Sequence, residues 1–208
     1  MYLAFSILCC LFWTLLYITV IIELKKTNNT IENFFTISMF LCLEGFFFIF
    51  KCNDITNSFN GFCYAMLWYI WLGLDIAITI LFLLFCDKKN KLLFVFSFIF
   101  LFVILFFFYH DNTLFFQFYA DMIATIIFIF KLLFFSSKFI KKDYSFVLMI
   151  SIFKIFGDTF AYFSGLESVT NNSELIHLTI ISIILIILDI IFVVFSIIKY
   201  RQIKNNEI

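Results

Sequence analysis

The chain has no proline, five glycines, two histidines and one arginine, and only 13% of its 208 residues are charged. Each shortage removes a class of protein. A charged share about half that of an ordinary soluble domain is too small to cover a water-facing surface. A multi-span membrane protein needs no such cover, because lipid surrounds its apolar outside. Arg201 is the lone arginine and the formal net charge is zero, so a nucleic-acid partner has no electrostatic basis. His110 and His177 cannot form a three-histidine zinc site, and no cysteine–histidine spacing pattern accompanies them. Glycine-rich phosphate loops, nucleophile elbows and HExxH pairs are missing. No metal and no cofactor is therefore expected. The missing prolines have a bland cause, since abundant Phe, Ile, Lys and Asn point to an AT-rich genome.

What is present is apolar: 64% of residues are hydrophobic, 36 are Phe, and the mean hydropathy is +1.11. A spanning helix needs about 20 mostly apolar residues. That rule predicts an all-α, polytopic integral membrane protein of seven transmembrane helices, over about 3–22, 33–50, 64–85, 92–109, 114–135, 144–163 and 175–198. The opening MYLAFSILCC has neither a basic region nor a small-residue cleavage site, and reads as the first span rather than a removed signal. The connections are short, so 1–208 is expected to form a single seven-helix membrane domain.

Basic residues give the orientation. Lys25, Lys26, Lys88, Lys89, Lys91, Lys138, Lys141, Lys142, Lys199, Arg201 and Lys204 fall on one side, against Lys51 alone on the other. The positive-inside rule then places the N-terminus outside and the C-terminus in the cytoplasm. The expected setting is the lipid bilayer of the bacterial inner membrane, crossed several times.

Seven charged residues remain inside the predicted spans: Glu44, Asp75, Asp121, Asp158, Asp189, Lys131 and Lys154. Each costs about 2.5–3.5 kcal/mol at the centre of a membrane helix, so the acids are expected to face one another or a wet cavity. Counted from the outer helix ends at about 1.5 Å per residue, Glu44 and Asp158 lie at ~10 Å, Asp121 at ~12 Å, Asp75 at ~18 Å and Asp189 at ~22 Å. Lys154 and Asp158 are four apart, hence on one helical face. They read either as a self-neutralising pair that pins the sixth helix, or as a counter-ion set into an acid cluster. Lys131, near a helix end, is expected to snorkel to the surface.

Small residues gather beside these acids. Gly73/Ala77, Ala120/Ala124 and Gly157/Ala161 are small-xxx-small pairs, and Gly45 adjoins Glu44. Such pairs let helices approach closely. Trp68 and Trp71 lie just outward of Asp75 and form either a weak stacking platform for a planar or sugar-like solute or ordinary packing. Cys52 and Cys63 end one outer loop and are either bridged or two free thiols. Cys9, Cys10 and Cys42 read as apolar fillers. His177 either caps the last helix or meets interfacial water. No lysine sits mid-way along that helix, which argues against a retinal pigment.

One offset of 114 positions pairs Glu44 with Asp158 and Asp75 with Asp189. The fourth span carries no charge and falls between two triplets, which gives a 3+1+3 plan of parallel repeats, about 1–90 and 114–204. That outline is similar to the layout of seven-span sugar facilitators and vitamin-uptake proteins. The Pro-Gln pair that those sugar carriers use at their hinges is absent, so the likeness is one of layout and implies transport only at that level.

The leading expectation is a small membrane transporter of a small solute or cation. Glu44, Asp75, Asp121, Asp158 and Asp189 would handle the substrate or coupling cation, with Lys154 as internal counter-ion. One alternative is an intramembrane lipid-modifying hydrolase with Asp121 and Asp158 as general acid and base. The other is a seven-helix receptor or scaffold without catalysis.

Overall fold

The computed structural model describes residues 2–27, 34–50, 59–108, 113–134, 141–166, 169 and 171–205. Within the helices, it leaves out the side chains of 2, 3, 27, 48, 50, 59–68, 108, 113–116 and 141–143. The fold is all-helical, with seven helices among the described residues. These are α1 (Tyr2–Thr27), α2 (Phe34–Phe50), α3 (Phe59–Phe85), α4 (Lys88–Phe108), α5 (Thr113–Phe134), α6 (Lys141–Gly165) and α7 (Asn172–Asn205). Five stretches are long and apolar enough to cross a bilayer: Ala4–Lys26, Lys88–Phe107, Gln117–Phe134, Tyr144–Gly165 and Asn172–Asn205. By length and composition, then, this is a multi-pass membrane protein. The described apolar parts of α2 and α3, Phe34–Phe47 and Tyr69–Phe85, are shorter.

Several helices outrun the apolar runs that announce them, because polar residues cap or extend their ends. Asp87 precedes α4, and its Oδ1 accepts the Asn90 N–H at 2.7 Å. Asn171 does the same for Glu174 at the start of α7, at 2.8 Å. Each is an N-cap that satisfies an otherwise orphaned donor. Asn171 therefore caps the last helix, while His177 lies in its second turn, exposed. The 34 residues of α7 rise about 51 Å, well beyond a ~30 Å hydrocarbon layer. The first helix runs on to Thr27 and takes in Glu23, a residue the apolar pattern leaves in a connection.

The chain forms two compact units. The first comprises Met1–Ile31 and Phe118–Ile208, that is, α1 with nearly all of α5 and the whole of α6 and α7. In it α1 runs antiparallel to α6. Ser6 and Ser164 hydroxyls meet at 2.7 Å at one end, Phe12 stacks on Phe156 at 5.0 Å in the middle, and the Lys26 ammonium sits over the Phe146 ring at 5.7 Å at the other. Each helix turns one stripe inward. On α7 it is Leu178, Ile181, Ser182, Leu185, Asp189, Phe192 and Ser196, the three-and-four spacing of a helix buried on one side. Phe192 meets Phe128 of α5 with ring centroids 5.6 Å apart.

The second unit, Glu32–Gln117, holds α2, α3 and α4. Phe46 of α2 packs against Phe102 of α4 at 4.6 Å, and the Cys42 thiol donates to the Phe98 carbonyl at 3.5 Å. Its α3 turns Trp71, Asp75, Ile78 and Thr79 inward. Large apolar side chains cover the outward faces, among them Phe96, Phe100 and Phe107 of α4 and Ile176, Ile180 and Ile187 of α7. A hydrocarbon surrounding accounts for that coat, which water would not tolerate over so wide an area.

Several serine and threonine hydroxyls within the helices bond their own backbone. Thr19, Thr159, Thr179 and Ser196 donate to the carbonyl four residues back, and Ser38 and Ser151 to the one three back. A hydroxyl in hydrocarbon must find an acceptor, and the preceding turn supplies one. These residues are thereby explained without a functional role.

Candidate functional site

All five predicted acids and Lys154 are buried. They divide between the two units. Glu44 and Asp75 lie within α2 and α3 of the second, and Asp121, Asp158, Asp189 and Lys154 lie in the first. The latter four come together, and they do so because each belongs to the inward stripe of its helix. On α6 that stripe reads Val147, Ile150, Ser151, Lys154, Gly157 and Asp158, and on α5 it reads Asp121, Ala124, Thr125, Phe128 and Leu132. Lys154 is 1% exposed, and Asp158 and Asp189 are fully enclosed.

At the centre, the Lys154 ammonium is paired with Asp158 Oδ2, one helical turn along α6. It also lies 3.4 Å from Asp189 Oδ1 on α7. Thr125 of α5 reaches the same Asp189 oxygen, donating at 3.1 Å, while its hydroxyl also lies 2.8 Å from the Asp121 carbonyl. Asp121, one turn back on α5, is within electrostatic range of both Lys154 and Asp189. Three helices thus contribute carboxylates around one lysine. Fully ionised, the four groups carry a net charge of −2, and a buried site with uncompensated charge is costly by several kcal/mol.

The fourth helix of the unit closes the site with an aromatic face. Trp13 of α1 is buried, and the Lys154 ammonium lies 5.4 Å from its ring centroid, a cation–π contact. Gly157 makes room for it. A Cβ on Gly157 would fall 2.9 Å from Trp13 Cδ1 and Nε1, closer than real Cβ contacts come. The small residue beside Asp158 therefore admits an indole. The other glycines near acids behave differently: a Cβ at Gly45 or Gly73 meets nothing within 4 Å. Among the described residues, then, neither has a neighbour close enough to need the missing side chain.

Trp71 is buried in the second unit, while the Trp68 side chain, the other half of the aromatic platform, lies outside the described residues. So do His110, Cys52 and the Cys63 side chain, with the bridge they would form. Cys9, Cys10 and Cys42 are buried and free. Lys131 is partly exposed on the last turn of α5. His177 Nε2 and the Tyr119 hydroxyl meet at 2.9 Å at the exposed end of the α5–α7 seam. Among the described residues, no group of three or more His, Cys, Asp or Glu side chains has the arrangement to hold a metal ion.

Two contributors to the site, Trp13 and Thr125, escape a reading of the sequence, and so does the buried Glu23 elsewhere in the first unit. Trp13 carries no charge and sits on a helix with no predicted acid, so nothing on its own helix ties it to Lys154. Thr125 resembles the many self-bonding hydroxyls. Glu23 is fully buried on the inward stripe of α1, yet it precedes Leu24, Lys25 and Lys26 and so reads as the start of a polar connection. No family model, curated protein or solved structure matches the chain.

Proposed function

We propose that this chain is a small membrane transporter in which Asp121, Asp158 and Asp189, gathered around Lys154, bind the substrate or coupling cation. One observation carries the reading: three enclosed carboxylates share a single lysine. A scaffold has no use for the imbalance and would be expected to pair its acids singly. A transporter needs it, because the missing positive charge is what the site collects, as protons or as a cation. The four participating helices then respond to occupancy, since removing a positive charge loosens α5, α6 and α7 from one another and from the Trp13 indole.

The proposal includes seven spans, with the N-terminus outside and the C-terminus in the cytoplasm of a bacterial inner membrane. In support, consecutive elements alternate in direction within the first unit: α6 is antiparallel to α1 and to α7, and α5 is parallel to α7. The 3+1+3 repeat stays part of the reading. It makes Glu44 and Asp75, buried in the second unit, the counterparts of Asp158 and Asp189.

The test is flux. The purified chain in liposomes, with a pH-sensitive dye inside, should dissipate an imposed proton gradient when a transported cation is supplied on the far side. Asp158→Asn and Asp189→Asn should abolish that flux while leaving reconstitution intact. Flux that is equal in wild type and both variants, or absent for every monovalent cation tried, would remove the carboxylate cluster from any transport role.

A further inference from the structure

Around Lys154, the acceptors outnumber what the lysine can fill. Its ammonium pairs with Asp158 Oδ2 and approaches Asp189 Oδ1 at 3.4 Å. Asp158 Oδ1, Asp189 Oδ2 and Asp121 Oδ1 are all buried, and none accepts a hydrogen bond from a described donor. Buried polar atoms in that state are uncommon and call for an occupant. The same ammonium lies over the Trp13 indole, 5.4 Å from its centroid. Carboxylate oxygens and an aromatic ring gathered around one ammonium suit a substituted ammonium ion, which offers both a diffuse positive charge and N–H donors. A bare alkali cation would satisfy the charge and leave the ring unused. A divalent metal would be repelled by the lysine held within the same site.

We propose that the Asp121–Asp158–Asp189–Trp13 set is a recognition site for a small primary ammonium ion, and that Lys154 is its tethered occupant. The lysine holds the site when no ligand is present, which keeps the enclosed carboxylates from standing bare. A free primary ammonium ion of similar shape competes with it for the same oxygens and the same indole. As a statement of what is carried, this rests on the transporter reading, but the binding itself does not require transport.

The experiment empties the site and offers it a free ligand. Lys154→Ala is purified in detergent with Trp68→Phe and Trp71→Phe, so that Trp13 alone fluoresces. It is then titrated with n-propylammonium chloride, with tetramethylammonium and sodium chloride as controls at equal ionic strength. n-Propylammonium should raise the unfolding midpoint by a few degrees through ligand linkage and change the Trp13 emission. Tetramethylammonium lacks N–H donors, and sodium lacks both donors and affinity for the ring, so neither should match it. Adding Asp158→Asn should abolish the response. The parent protein that retains Lys154 should need far more ligand, because a tethered competitor acts at an effective concentration of about millimolar or more. Equal responses to all three cations, or a response that survives Asp158→Asn, would overturn the proposal.

Should Lys154→Ala fail to fold, the wild-type chain in membranes can be labelled with dicyclohexylcarbodiimide, which attacks enclosed carboxyl groups. n-Propylammonium should slow labelling of Asp121, Asp158 and Asp189 more than sodium does, and equal protection by both would again overturn it. The liposome assay separates the two ideas. Ammonium binding without flux removes the transporter reading and leaves the site, while flux without ammonium selectivity removes only this inference.

Discussion

Gly157→Ala is the most informative single substitution, because its effect can be worked from one contact. The added methyl would lie 2.9 Å from two atoms of the Trp13 ring. That ring cannot easily withdraw: it is buried, with the Lys154 ammonium at 5.4 Å and the Tyr17 ring at 6.0 Å. Overpacking of this kind costs about 1–3 kcal/mol. Replacing a glycine inside a helix also brings a gain of about 1 kcal/mol from backbone propensity. Gly73→Ala isolates that gain, since its new methyl meets nothing within 4 Å. The difference between the two variants is then the overpacking alone. At about 2–4 °C per kcal/mol for a chain of this size, Gly157→Ala should melt roughly 2–12 °C below Gly73→Ala. Thermal unfolding in detergent, followed by circular dichroism at one protein and detergent concentration, measures it. Equal midpoints would refute the fit of Trp13 against α6, and with it the enclosure of the site from the α1 side.

Further predictions follow from the same geometry. Lys154→Met removes the one positive charge from the cluster and should cost about 3–5 kcal/mol in unfolding stability, whereas adding Asp158→Asn also removes a carboxylate that the lysine had paired and should recover much of the loss. Asn171→Ala removes the cap of α7 and should lower stability by about 1 kcal/mol, with Asn171→Asp close to neutral in the same melting assay. Burial pushes the Cys86 thiol, in the link between α3 and α4, above its ordinary range. A raised value means less thiolate at pH 7, so alkylation of Cys86 in an otherwise cysteine-free chain should be slower than for a free thiol and keep climbing above about pH 9. An impermeant maleimide should reach Cys86 in inside-out vesicles and spare it in intact cells, and the opposite pattern would reverse the proposed orientation.

The helices were legible because lipid demands long apolar runs, and all seven runs became helices. Their ends were less legible. Asp87, Asn171 and the Glu23–Thr27 stretch are polar residues that a hydropathy rule assigns to connections, although local hydrogen bonding continues the helix through or up to them. The burial of Asp121, Asp158, Asp189 and Lys154 followed from the cost of charge in hydrocarbon, and the Lys154–Asp158 pair followed from a spacing of four. That these should meet Trp13 did not follow, because contacts between α1 and α6 depend on tertiary packing that no local period encodes. Gly45, Gly73 and Gly157 look alike in sequence, yet among the described residues only Gly157 meets a close neighbour. A short side chain permits close approach without specifying it.

The composition of the first unit also has a consequence in time. Its helix α1 is made first, and its antiparallel partner α6 is made roughly 110 residues later, after the whole second unit has been synthesised. At about 5–20 residues per second the interval is on the order of ten seconds. During it Trp13 lacks Gly157 to rest against, and the inward stripe of α1 that carries Glu23 must be tolerated in the membrane without the helix that later covers it. A ribosome stalled beyond α5 would leave the chain with a finished second unit and a first helix still without its α6 partner.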